Sequence, residues 1–80
     1  MTATENVFYI FIEELDEKCV IKLVQNFDWK IALIDGLEPD DLSYTYSNKF
    51  LIDDIMDDLR SRYDYVEEIS FNDIDDYMSY

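Results

Sequence analysis

Six consecutive apolar residues, Val7-Phe8-Tyr9-Ile10-Phe11-Ile12, do most to limit what this chain can become. They are aromatic or β-branched, and both alternating sets are apolar, which is the pattern of a central strand in a sheet. The run is far short of the ~20 residues that a membrane helix requires. A sheet is therefore the expected centre of the fold.

The residues that follow supply neighbours for that strand. Residues 13–18 make an acidic turn, after which Cys19, Ile21 and Leu23 alternate with Val20, Lys22 and Val24 as a second strand with one drier face. Gln25-Asn26-Phe27-Asp28 is a short connection to a third strand, Trp29 to Ile34. Two successive hairpins predict an antiparallel meander. Residues 35–41 contain the only glycine and the only proline and read as the main loop. Ser43-Tyr44-Thr45-Tyr46 reads as a short edge strand.

Ser47 or Asn48 is positioned to cap a helix running to about Arg62. Its stripe is Leu51, Ile52, Ile55, Met56, Leu59 and Tyr63, recurring at helical spacing. Tyr65 to Phe71 returns to strand character, with Glu67-Glu68 interrupting the alternation as a bulge would. Asn72 can cap a last helix, Asp73 to Tyr80. The expected fold is a single α+β domain over residues 1–80. It has a mostly antiparallel sheet of three to five strands, one longer amphipathic helix and a short C-terminal helix, with the helices on one sheet face.

Charge constrains function more than fold. Twenty acids stand against six bases with no histidine, for a net charge of −14. The chain is nevertheless 49% hydrophobic and 16% aromatic, which argues against disorder. Such charge repels itself in the folded state but favours solubility and fast encounter with positive surfaces. Direct nucleic-acid binding is excluded, because there is no basic stripe to neutralise phosphates; anionic membranes are excluded likewise. A halophilic surface would go with less isoleucine and tyrosine. One cysteine, Cys19, forms no internal disulfide, and residues 1–5 have neither a basic flank nor an apolar signal segment. A cytoplasmic protein is expected.

Catalysis finds little to use. No imidazole is present to activate Cys19, which reads as a small core residue. One glycine cannot build a phosphate loop, and paired carboxylates without a pocket do not indicate glycoside hydrolysis. Asn72-Asp73-Ile74-Asp75-Asp76 loosely resembles an acidic calcium loop, yet lacks its glycine and closing glutamate. The expectation is a non-enzyme with no cofactor and no metal site.

The helix holds the most pointed feature. At about 100° per residue, Asp53, Asp54, Asp57 and Asp58 fall on the arc opposite the apolar stripe, with Lys49, Arg60 and Arg62 near its borders. Asp53/Asp57 and Asp54/Asp58 are like-charge pairs, each costing a few tenths of a kcal/mol, and aspartate is a weaker helix former than glutamate. A sequence selected for solubility alone has glutamate–lysine pairs available here. The four aspartates therefore read as a binding face, and replacing all four by asparagine is expected to preserve or raise thermal stability. Carboxylates one turn apart are ~5–6 Å from one another, similar to successive phosphates on a strand. Glu13, Glu14, Asp16 and Glu17 in the first turn, and the loop acids including Asp40 and Asp41, are positioned to extend the track. Glu67 and Glu68, with Asp73, Asp75 and Asp76, suggest a second patch. Tyr44, Tyr46, Tyr63, Tyr65, Tyr77 and Tyr80 cluster around the acids, a residue type enriched at binding hot spots.

With its size, its charge and segments such as Ile52-Asp53-Asp54-Ile55-Met56-Asp57-Asp58, the chain resembles the small acidic proteins that phages encode against bacterial defence, the DNA-mimicking anti-CRISPR and anti-restriction inhibitors. These share no common motif, so the resemblance transfers no residue by position. It implies a basic nucleic-acid-binding partner in a bacterial host cell, a CRISPR effector or other defence nuclease blocked at its DNA- or PAM-reading surface. An immunity protein or antitoxin against a basic nuclease toxin uses the same electrostatics, and an acidic adaptor subunit is a third reading. A monomer is the default expectation, with exposed strand edges as a route to a dimer.

Overall fold

A computed structural model of the chain describes residues 6–79. Its fold is α+β, in the order β1 (Asn6–Glu14), β2 (Glu17–Asn26), β3 (Asp28–Gly36), β4 (Thr45–Tyr46), α1 (Ile52–Arg62), β5 (Tyr65–Ile69), a 3-10 turn (Phe71–Asp73) and α2 (Ile74–Met78). The five strands form one sheet in the order β4-β3-β2-β1-β5, antiparallel throughout. The expected meander is present as β1-β2-β3, and the apolar run of β1 lies in the sheet interior between β2 and β5.

The expectation that both helices share one face is overturned. Ile10, Ile12, Cys19, Ile21 and Leu23 pack with Ile55, Met56 and Leu59 of α1. The alternate residues Phe11 and Val20, with Ile69, pack instead against Ile74 of α2. Strand side chains alternate between faces, so a strand apolar on both needs cover on both. The long β1 run thus forces a second, smaller cluster that α2 closes. Each fully buried Ile or Leu contributes about 1.5–3 kcal/mol.

Three local corrections follow. The helix is 11 residues long and begins at Ile52, with Leu51 as N-cap, not at Ser47 or Asn48. Residues 47–51 are diverted by the sheet: Asp28 accepts the Asn48 N–H at 3.1 Å, and Phe50 presents its carbonyl to the buried Trp29 Nε1 at 2.9 Å. Glu67-Glu68 makes no bulge, because β1 and β5 keep an unbroken register from Tyr9↔Ile69 to Glu13↔Tyr65. The irregularity falls at Val20/Ile21, between β2 and β3. The last helix is α2 after a 3-10 turn that includes Phe71, which the sequence placed in a strand. Tyr80 lies outside the described residues.

Gly36 has to be glycine. Its φ is +88°, and an added Cβ would lie 2.2 Å from the Lys18 carbonyl oxygen and 2.7 Å from Cys19 Cα. Cys19 is buried in the core. Desolvation, with a smaller push from the Glu38 charge, raises its thiol to about 11. No helix among the described residues is long and apolar enough to cross a membrane.

Candidate acidic interface

Helix α1 lies on the sheet with Ile55, Met56 and Leu59 inward, so its aspartates face away from the core. The four are not equivalent. Asp53 and Asp57 are exposed, and their carboxylates make no hydrogen bond or ion pair with other described residues. Asp54 is in the first turn and accepts the Leu51 N–H at 2.9 Å. Asp58 accepts the Tyr46 hydroxyl at 2.6 Å and Arg62 Nε at 3.2 Å. Burial first, and then this carboxylate's hydrogen bond and charge, push the Tyr46 hydroxyl far above its ordinary pKa. The outward arc seen in the sequence therefore divides into two free carboxylates and two that hold the fold together.

Arg62 carries the acidic surface from helix to loop. While its Nε meets Asp58, its Nη1 donates to the Asp41 carbonyl oxygen at 3.3 Å. Around this end of the molecule an open cavity of about 350 Å³ is rimmed by Glu14, Glu17, Glu38, Asp40 and Asp41, with the cations Lys18 and Arg62 and the ring of Tyr63 also in its wall. Tyr63 donates its hydroxyl to the Asp40 carbonyl at 2.8 Å. Glu14 and Glu17 face each other across the β1–β2 ladder, a like-charge pairing that costs stability. Partial desolvation, then a hydrogen bond with Asp64 and the charges of Asp64 and Asp40, raise the Glu14 carboxyl above its ordinary value. Asp64 went unmarked in the sequence: it follows the helix as a turn residue, yet it accepts the Leu15 N–H at 3.1 Å.

Other acids are dispersed. Glu13 pairs with Lys18 on the sheet face opposite to Glu14, by simple alternation, and Asp16 sits at the exposed tip between β1 and β2. Glu67 accepts the hydroxyls of Tyr65 and, at 2.9 Å, of Tyr77. Those two hydrogen bonds hold its carboxyl below the usual range. Glu68 alternates to the α1 side but lies on an edge strand, exposed. The second patch is therefore divided: Glu67 belongs to the packing of α2, whereas Asp73, Asp75 and Asp76 are exposed around it.

The α1 side stays net negative although Lys49, Arg60 and Arg62 belong to it. Arg62–Asp58 is the one side-chain ion pair among the described residues. The lysines of the strands, Lys18, Lys22 and Lys30, occur in register with Glu13, Tyr9 and Val24, on the α2 side of the sheet. Where cations are scarce, tyrosine hydroxyls do the work of donors: Tyr46, Tyr65 and Tyr77 each bind a carboxylate. A tyrosine hydroxyl satisfies a carboxylate oxygen without adding a positive charge, as at Glu67; Asp58 receives both Tyr46 and the Arg62 guanidinium. Among the described residues no group of carboxylates is arranged to hold a metal ion. Comparison with protein-family models, curated proteins and solved structures finds no match for this chain.

Proposed function

We propose that this protein is a non-enzymatic inhibitor that binds the basic nucleic-acid-binding surface of a defence enzyme, a CRISPR effector or comparable nuclease, through the acidic face of α1 and the adjoining loop. The observation that supports this most is the lack of internal neutralisation. Asp53 and Asp57 stand one turn apart, exposed and unpaired, on the side of the sheet away from Lys18, Lys22 and Lys30. Carboxylates at that ~5–6 Å separation offer charge-assisted acceptors to lysines and arginines spaced for phosphates. Glu14, Glu17, Asp40 and Asp41 extend the surface at the Arg62 end.

Capture from bacterial lysate with the tagged protein, with and without added duplex DNA, tests the reading. The expected partner is a nucleic-acid enzyme that DNA displaces, and that an Asp53→Asn/Asp57→Asn variant no longer retains. A partner indifferent to DNA would sink the mimicry; a nuclease toxin recovered in this way would mark an immunity protein, and a partner of another kind an acidic adaptor. Association should slow as salt rises, since exposed charges are screened beyond ~8–10 Å.

A further inference from the structure

At the end of the molecule opposite Arg62, two residues break local rules in the same direction. Leu51 occupies the N-cap of α1, where Ser, Thr, Asp or Asn is worth about 1 kcal/mol more, and its side chain is 70% exposed. Phe27 forms the tip between β2 and β3 at φ +71°, a conformation that favours Gly or Asn, and is 87% exposed. The hydrogen bonds from Asn48 to Asp28 and from Trp29 to the Phe50 carbonyl tie the 47–51 connection to this hairpin end. Neither choice serves folding: a polar residue at each position removes an exposed apolar surface and suits the backbone better. Leu51, exposed at the N-cap with unstrained extended backbone, points to a contact outside the chain; Phe27 is strained as well as exposed, as is Leu15 at the Arg62 end.

Leu51, but not Phe27, lines an open cavity of about 330 Å³ whose apolar wall is Phe8, Trp29, Phe50, Leu51 and Ile52 and whose polar edge is the hydrogen-bonded pair Asn6 and Gln25. The one charged residue in its wall is Asp53, and one turn further along α1 stands Asp57. Lys49, the cation of the 47–51 connection, does not line it. The cavity thus adjoins the unpaired carboxylates of the acidic face and has no positive charge of its own. An acidic partner is repelled there, and a purely polar one leaves the apolar wall wet.

We propose that this cavity seats a leucine- or phenylalanine-type side chain of a protein segment whose flanking lysines or arginines meet Asp53 and Asp57. The inference rests on the reading of the α1 face as a surface for a basic protein, and adds to it an apolar anchor that DNA does not possess. Affinity then comes from the anchor, and encounter rate from the charge.

The only tryptophan of the chain, Trp29, is in the cavity wall and reports occupancy by fluorescence. Two synthetic peptides of equal length and charge are titrated in about 0.15 M salt, one alternating arginine with leucine, the other arginine with serine. The leucine peptide should bind about tenfold tighter or better and shift the Trp29 emission. Leu51→Ser should erase that preference, whereas Phe27→Asn, at the hairpin tip outside the cavity wall, should leave it; both should fold at least as stably as the parent, since each installs the residue its backbone favours. Asp53→Asn should weaken both peptides alike. Equal affinities for the parent protein would overturn the anchor and leave the acidic reading standing. A preference surviving Leu51→Ser would put the apolar contact elsewhere. Failure of both peptides to bind would remove the acidic reading, and the anchor with it. Emission that changes with protein concentration alone, and not in Leu51→Ser, would assign the cavity to a second copy of the chain.

Discussion

Asp57 and Asp58 are adjacent on α1 and do opposite things. Asp58 accepts from Tyr46 and Arg62, so Asp58→Ala leaves a half-buried hydroxyl and a guanidinium without their shared acceptor. Hydrogen bonds to charged groups contribute about 1.5–3 kcal/mol when shielded. At 32% exposure of the Asp58 side chain, solvent screening brings the expected loss to about 1 kcal/mol. Asp57→Ala removes half of a like-charge pair and installs a better helix former, so stability should hold or rise by a few tenths of a kcal/mol. Urea denaturation of the two variants decides; equal losses would mean that the Asp58 contacts contribute nothing. The fourfold asparagine variant, expected from the sequence to preserve or raise stability, loses these contacts too. It weakens the Asp54 cap and the Asp58 bridge together, so it is destabilising, and Asp53→Asn/Asp57→Asn is the pair that separates binding from folding.

At the scale of elements, α2 shows how a five-residue helix persists where an isolated one would not. Ile74 is buried against Phe11, Val20 and Ile69. Lys18 donates from Nζ to the Tyr77 and Ser79 carbonyls at 3.1 and 2.9 Å, where a cation suits the carbonyl end of a helix. The Tyr77 hydroxyl reaches back to Glu67 on the edge strand. Ile74→Ala should therefore cost about 2–4 kcal/mol and uncover the Phe11 face. A fall in urea midpoint with increased binding of a hydrophobic dye is the expected result. A loss below about 1 kcal/mol would mean that the second cluster is closed by something other than α2.

For the whole molecule the charge sets the response to pH and salt. Glu14 has its carboxyl raised in the folded state, so it binds its proton more readily folded than unfolded. Its contribution is present below its unfolded pKa and is lost as pH rises through the folded value. Glu67 is held low by Tyr65 and Tyr77, so its contribution is present above its unfolded pKa and is lost as pH falls through the folded one. Partial protonation of the other acids relieves the self-repulsion of a −14 chain. The thermal midpoint should rise from about pH 8 to about pH 5 and drop again below about pH 4, around the ordinary carboxylate range. Added salt should raise it at pH 7 and have less effect near pH 5. A profile flat from neutral to mildly acid pH would show that repulsion is not a significant term.

The one-dimensional pattern by itself determined the sheet, the β1-β2-β3 meander, the Ile55, Met56 and Leu59 stripe of α1 (though not Leu51, which is exposed at the N-cap) and the outward arc of its aspartates. Each of these depends on periodicity or on a single turn, and such signals are local. Only the tertiary structure decided that α2 crosses to the opposite face, since β1 announces two apolar faces without saying what covers the second. The tertiary structure also set the start of α1, where Trp29 and Asp28 claim residues 48 and 50 from a distant strand. And it sorted the acids into free and engaged, because Tyr46 reaches Asp58, and Tyr65 and Tyr77 reach Glu67, through the pairing of strands and helices. A carboxylate's charge is written at its position; whether that charge is already committed depends on which donors folding brings to it.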